Sequence, residues 1–279
     1  MPVQIIILGS KGMLGRYITV YLRNVCGYLV DEINRDKFDV FTEYSNNNLV
    51  QSVDNIISTK HYDYIINCMG VTNKRDVTTS EMFVVNSYLP FILAVASKKY
   101  NTILIHPTTD CVYSGDKGMY CHTDIPDCNS DYGLSKCMGE TVNLLGHTHV
   151  IRASIIGEGG VGSLVEWVRD NQGKAVNGYT NHFWNGITCL EYAKQIEKCI
   201  ENGTKHFPCE IDFIRSSYRN GTRISKYDLV KEISDIYNFN VILKPFETLR
   251  SCDRTLSGRN TSDIVVQIKE MKEFGEKYY

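Results

Sequence analysis

Residues 3–25, VQIIILGSKGMLGRYITVYLRNV, decide the fold. The first seven are almost wholly apolar, as in a strand covered on both faces by helices. From Gly12 onward the apolar residues recur every three or four positions, the period of a helix with one buried face. Between the two, Gly9, Gly12 and Gly15 stand in a GxxGxxG spacing. Gly9 permits the tight turn, Gly12 lets backbone approach a phosphate, and Gly15 lets the helix lie against the strand. The helix start leaves N–H groups free for an anion, with Lys11, Met13 and Leu14 around them. Strand, glycine turn and helix in this order predict a dinucleotide-binding loop.

The same alternation continues along the chain. Residues 27–34, 63–70, 101–110 and 148–157 read as further strands. Residues 80–100 and 131–145 read as helices between them, with Pro90 placed to kink or break the first. Strand and helix in alternation imply an α/β fold, a Rossmann-type doubly wound parallel sheet. Beyond residue 157 the rhythm loosens. Helices are expected at 163–171, 189–201 and 225–237, the last capped by Ser225 and Asp228, and strands at 209–215 and 240–245. We therefore expect a dinucleotide-binding domain over 1–157 and a smaller substrate-binding lobe over 158–279. The lobe should pack over the carboxyl edge of the sheet, where such sheets bind ligands.

Composition agrees with an ordinary globular chain: 279 residues, 43% hydrophobic, net charge −2. That balance calls for neither nucleic acid nor an anionic membrane. Uninterrupted apolar runs such as PFILAVA fall far below the roughly 20 residues of a membrane span. With no basic, apolar and small-residue stretch before the first strand, no secretion signal is expected. The ten cysteines lack CxxC or paired His/Cys spacing and read as reduced thiols, with no metal implied. A cytoplasmic protein is the expectation.

The tip of the second strand selects the cofactor. A ribose 2′-OH is met by a carboxylate there, and a 2′-phosphate by a cation. If the strand runs to Asn34, Arg35 faces the 2′ position, helped by Lys11, with Asp39 and Val40 near the adenine edge. If it stops at Val30, Asp31 favours NAD. The first case is preferred, giving NADPH/NADP, with NAD left open.

In DYGLSKCMGE, Tyr132 and Lys136 are spaced i, i+4 and share one helix face. Bringing a tyrosine from pKa 10 to near 7 takes about 4 kcal/mol, which a nearby ammonium in a partly dry site supplies. With the glycine loop, NCMG at residues 67–70, TTDCVYSG at 108–115 and this YxxxK, the chain resembles an extended short-chain dehydrogenase/reductase. More narrowly, TTDCVYSGDKGMYCHTDIPDCNSDYGLSKCMGE is similar to the dTDP-4-dehydrorhamnose reductase branch. RASIIG, SLVEWV, GYTNHFWNGIT, ISKYDLVKEI and CDRTLSG resemble the reductases that finish UDP-linked N-acetylated 6-deoxy-L-sugars such as N-acetyl-L-rhamnosamine. The departure is HTD at residues 122–124, where the family usually has a glutamate: either Asp124 stands in for it or the loop differs.

The resemblance implies roles. Thr109 hydrogen-bonds the substrate carbonyl, Tyr132 is the general acid, and Lys136 lowers its pKa and binds the nicotinamide ribose. Cys68, Met69 and Gly70 run along the cofactor, and Asn86 lies near the floor of the site, either at the substrate or as a structural tie. Cys111 matches a cysteine that epimerising relatives use, so proton exchange at C3 or C5 beside the C4 ketone is expected, against the alternative of a packed thiol. The second acid/base is left open among Glu158, Lys174 and His182. Lys74, Tyr179, Trp184 and Arg254 are candidates to hold a UDP-linked sugar, and a homodimer is common in this fold. A nucleotide-sugar 4,6-dehydratase or 4-epimerase, or a non-catalytic NADP-binding regulatory subunit, is the rival reading.

Overall fold

The computed structural model describes residues 2–73, 76–160, 162–202 and 210–279. Seven strands form the central parallel sheet: β1 (Gln4–Leu8), β2 (Leu29–Ile33), β3 (Tyr64–Asn67), β4 (Ile103–Thr108), β5 (Thr148–Arg152), β6 (Asp212–Ser217) and β7 (Arg259–Asp263). Their spatial order is β7-β6-β5-β4-β3-β1-β2. The chain leaves β1 toward one edge and returns to β3 on the other side of it, so the crevice above β1 and β3 is the switch point. The helices that position the site are α1 (Met13–Asn24), α2 (Leu89–Lys99), α3 (Asp131–Glu140), α4 (Cys189–Glu201), α5 (Lys226–Tyr237) and α6 (Ile264–Tyr278).

Alternate residues of each inner strand feed two cores, which is why these strands read as continuous apolar runs. Ile5, Ile7, Ile66, Ile105 and Ile151 face one core with α1, α4 and α6, closed by Tyr17, Tyr192 and Met271. Ile6, Leu8, Ile65, Leu104 and Val150 face the other with α2 and the helix Leu49–Ile57.

Pro90 does not break its helix. Thr79–Lys99 runs on continuously, with a π-helical turn at Val84–Tyr88 immediately before Pro90. A proline donates no hydrogen bond to the carbonyl four residues back, here Asn86, and the widened turn absorbs the mismatch. An 18-residue stretch of this 21-residue helix has a mean hydropathy of 1.3, long and apolar enough for a bilayer by composition alone. Here Leu89, Leu93 and Ala94 are wholly buried in the core.

The division at residue 157 is not a clean cut. β6 pairs with β5 and β7 with β6, so the C-terminal half completes the sheet as well as forming a lobe. The expected fifth strand also ends early, at Arg152, and Ile155–Ile156 pair separately with Ile187–Thr188. The lobe is built from α5, the helix Leu164–Asp170 and short strands at Ala175–Tyr179, His182–Trp184, Ile224–Ser225, Ile242–Phe246 and Cys252–Asp253.

Candidate active site

At the switch point the glycine loop is held by contacts that leave no room for side chains. Gly9 has φ +78°, and a Cβ there would lie 2.9 Å from the Cys68 carbonyl carbon and the Met69 nitrogen. A Cβ on Gly15 would lie 2.1 Å from the Gly9 carbonyl oxygen. Gly12 occupies the start of α1 with no side-chain cap, and the buried Ser10 hydroxyl has no partner among the described residues. The first N–H groups of α1, next to Met13 and Leu14, are therefore open to a phosphate. β2 runs to Ile33, so Asp31 sits mid-strand beside Ile6, its carboxylate taken by Tyr62 at 2.6 Å and Lys60 at 2.8 Å. That removes the arrangement in which Asp31 would select NAD. Past the tip, Asn34 closes the turn by accepting from the Asp36 and Lys37 nitrogens. Arg35 pairs with Asp39, which caps the short helix begun by the buried Val40. Lys11 reaches Asp36 at 2.8 Å. Two cations thus stand at this tip, an environment that fits a 2′-phosphate.

Across the crevice, β4 delivers Thr109 to a one-turn helix at Asp110–Val112. The Thr109 hydroxyl accepts from the Cys111 nitrogen at 3.1 Å and donates to Asp110 Oδ1 at 3.2 Å. Helix α3 starts where Ser130 accepts from the Gly133 nitrogen at 3.1 Å. A Cβ on Gly133 would lie 2.4 Å from the Cys111 carbonyl oxygen, so this glycine lets α3 close on the Asp110–Val112 turn. Tyr132 and Lys136 share the face turned to that turn. Burial and the Cys111 thiol push the Tyr132 hydroxyl above its usual range, while a bond with Thr109 pulls the other way. Lys136 donates to the Pro107 carbonyl at 3.0 Å, and burial draws its pKa down to about 8 against the pull of Glu140 and Cys68. The expected lowering of Tyr132 by Lys136 is thus absent here; desolvation dominates both groups.

Cys111 is shifted in the same direction as Tyr132. Burial, then Asp110, push its thiol up to about 12, despite Thr109, Arg254 and Lys226. Arg254 donates to the Tyr113 carbonyl at 2.9 Å and its Nη1 stands 4.0 Å from the Cys111 sulfur. It lines a cavity of about 450 Å³ with His182, Arg250, Asp127 and Ser130. Tyr179, 42% exposed, lies tilted against His182 with ring centroids 4.8 Å apart and stays available to a ligand. Trp184 does not: it is 3% exposed, and its indole donates to Ser154 at 2.7 Å inside the lobe core. Asn86 holds both the nitrogen and the carbonyl of Val71, at 3.0 and 2.8 Å, and reaches Ser135 at 3.1 Å. It is the structural tie of the two readings, fixing the strand end that carries Cys68, Met69 and Gly70. Lys74 lies outside the described residues. Asp124 accepts from Lys117 and the Cys121 nitrogen, ordering its loop.

Of the three proposed second bases, two lie elsewhere. Glu158 is buried under the hydroxyls of Tyr17 and Tyr237, at 2.8 and 2.6 Å. Lys174 donates to the Asp170 carbonyl on an exposed turn of the lobe. His182 borders the cavity, with Nε2 2.9 Å from the Thr248 hydroxyl. The group sequence reasoning missed is Lys226, whose charge acts on Asp110 and Cys111 from the lobe. Its signal was present: a lysine in the first position after a helix-capping serine, where the helix dipole disfavours a cation.

A protein-family model described as RmlD substrate binding domain matches residues 3–171. The chain belongs to this family. Among RmlD relatives, the dTDP-4-dehydrorhamnose reductase of Aggregatibacter actinomycetemcomitans is 31% identical over 144 residues, 50% of this chain and 47% of that protein. That of Mycobacterium tuberculosis is 27% identical over 168 residues, 57% of this chain and 52% of that protein. The matched region spans about half the length of these relatives. Among solved structures, the Bacillus anthracis dTDP-4-dehydrorhamnose reductase in complex with NADP has a TM-score of 0.83 at 19% identity, covering 98% of this chain and 99% of that one. The Clostridium acetobutylicum dTDP-4-dehydrorhamnose reductase scores 0.80 at 20% identity, with 98% and 99% covered. The RmlD-type sheet and lobe are therefore common to the whole chain.

Proposed function

We propose that this protein is an NADPH-dependent 4-ketoreductase of a nucleotide-linked 4-keto-6-deoxy sugar, of the dTDP-4-dehydrorhamnose reductase type. The observation that carries this reading is the meeting of Thr109, Tyr132 and Lys136 beside a glycine loop whose helix N-terminus is open to phosphate. Curated relatives that are dTDP-4-dehydrorhamnose reductases, and a related structure holding NADP, support it. The cofactor, when bound, supplies hydride to C4 of the ketone. The α1 N-terminus and the Ser10 hydroxyl hold its pyrophosphate, Lys11 and Arg35 its 2′-phosphate, and Lys136 its nicotinamide ribose. Cys68, Met69 and Gly70 border it with backbone. Thr109 and Tyr132 place hydroxyls where negative charge grows on the carbonyl oxygen. Tyr132 then gives up its proton. Its raised pKa does not oppose this, because an alkoxide is the stronger base.

The finer reading is a UDP-linked N-acetylhexosamine as substrate, bound in the cavity by Arg254 and Tyr179, with C3 or C5 epimerisation preceding reduction. Cys111, two residues from Thr109 and beside the Arg254 guanidinium, supports that step. A carbon next to a ketone loses a proton to give an enolate, and the same two hydroxyls stabilise it. Incubation with NADPH and UDP- or dTDP-linked 4-keto-6-deoxy sugars, read by loss of nicotinamide absorbance, tests the reductase. Product NMR identifies the sugar and the inverted centre.

A further inference from the structure

One buried titratable group has no part in hydride or proton transfer. His106 lies on β4, wholly buried and separated from β1 by β3. Its Nδ1 stands 3.3 Å from Nδ2 of Asn67, the buried last residue of β3. Asn67 Oδ1 accepts from the Met69 nitrogen at 3.2 Å. That bond fixes which end of the amide meets the ring: the oxygen is committed to Met69, so the NH2 faces His106. An NH2 group only donates, so Nδ1 accepts and the imidazole proton sits on Nε2. Nε2 is buried with no partner among the described residues, and a Cβ on Gly139 of α3 would lie 3.6 Å from it. The ring thus leaves a donor unsatisfied, at a cost to the fold, while its acceptor holds Asn67. Burial and the Lys136 charge hold its pKa well below the usual value, which keeps Nδ1 free to accept. The Met69 nitrogen, in turn, is one of the atoms that a Cβ on Gly9 would meet at 2.9 Å. One polar chain therefore crosses three neighbouring strands, from β4 through the end of β3 to the glycine loop.

We propose that His106 is a positioning residue for the cofactor: as an imidazole protonated at Nε2 it fixes the Asn67 amide, and through it the Cys68–Met69–Gly70 turn against the glycine loop. This rests on reading that loop and that turn as the NADPH site. Without an acceptor at Nδ1, the buried Asn67 NH2 loses its partner at that end. The amide then turns to seek another and releases the Met69 N–H. The two backbone stretches that border the cofactor lose their fixed spacing, and order left to the moment of binding weakens affinity. Position and polarity of the acceptor can be told apart by substitution. His106→Asn carries its amide oxygen two bonds from Cβ, where Nδ1 stands. His106→Gln carries the same group one bond farther out, toward the place of Nε2.

The test compares wild type, His106→Asn, His106→Gln and His106→Phe. NMR of the cofactor-free proteins reads the ring tautomer and the exchange of the Met69 amide with deuterated water, and fluorescence titration reads NADPH affinity. Wild type should show a single protonated ring nitrogen on His106, Nε2, at neutral pH. His106→Gln and His106→Phe should exchange the Met69 amide, and release NADPH, at least about tenfold more readily, the scale of a lost bond that orphans a buried donor. His106→Asn should stay within about threefold of wild type in both, because its acceptor is in place. Urea melts show which variants fold, and the Asn and Gln variants carry the comparison where His106→Phe does not. Protonation of wild type at Nδ1 would overturn the proposal. So would equal losses in the Asn and Gln variants, since side-chain volume would then decide, or NADPH affinity unchanged in the Gln and Phe variants. A wild type that binds no NADPH would remove the cofactor reading, and the role of His106 with it.

Discussion

At the scale of single residues, desolvation governs the site. Tyr132 is pushed up and Lys136 down because both lose water, and neither corrects the other. Tyr132→Phe is expected to lower turnover by about 10²–10⁴-fold, the range for a positioned general acid. NADPH titration by fluorescence should show the binding constant little changed. Lys136 makes the opposite kind of prediction. Its folded pKa of about 8 lies below the 10.5 of a free lysine, so its charge destabilises the fold. The cost is full below pH 8 and fades toward pH 10.5, where the unfolded chain also releases the proton. Lys136→Met should therefore raise unfolding free energy at pH 7 by about 1–2 kcal/mol, the relieved desolvation less the lost bond to Pro107. Urea melts at pH 7 and pH 10 check this: the gain should shrink at the higher pH while reductase activity is absent at both. Tyr132, Lys136 and Thr109 were legible because fixed spacing marks them. The place of Lys226 was not, because a strand pairing with residues 183 and 184 that no local pattern announces sets it over the Trp184 ring.

At the scale of elements, Gly133 sets the approach of α3 to the Asp110–Val112 turn. Gly133→Ala would drive a Cβ against the Cys111 carbonyl, whose backbone has no free space to yield. The expected cost is about 1–3 kcal/mol of stability, the usual range for overpacking. Turnover should fall with little change in NADPH affinity, because Thr109 shifts and the glycine loop does not. Stopped-flow reduction alongside cofactor titration separates the two. The inner strands were readable from their apolar runs, since both faces of each are buried. The edge strand β7, RNTSD, was not, because its side chains are mostly exposed and polar and show no apolar run. The π turn before Pro90 was equally hidden. Sequence marked a kink or a break there, and the wider turn took up the proline while leaving Asn86 to hold Val71.

At the scale of the whole molecule, buried charge ties sheet, site and lobe together. Arg152 at the end of β5 ion-pairs with Glu140 at the end of α3, donates to the Tyr113 hydroxyl at 2.6 Å, and lies over the ring of Phe213 on β6. Thr108 donates to the same glutamate at 2.6 Å. Arg152→Met would leave Glu140 buried without its cation, at a cost of about 3–5 kcal/mol in urea unfolding. Two chain halves that share a sheet through β5 and β6 should unfold together, so one cooperative transition is expected. The dinucleotide loop was legible from 23 residues at the amino end, the sheet from the alternation after it, and the family from residues 108–140; the way the second half completes that sheet was not. The central claim is reduction of a C4 ketone on a sugar nucleotide by Tyr132 and Thr109. Its most direct test follows nicotinamide absorbance with NADPH and a dTDP- or UDP-linked 4-keto-6-deoxy sugar, for wild type and Tyr132→Phe side by side. Consumption of NADPH by wild type, lost in the variant, is the predicted result; no consumption with any such sugar, or equal rates in the two proteins, would contradict it.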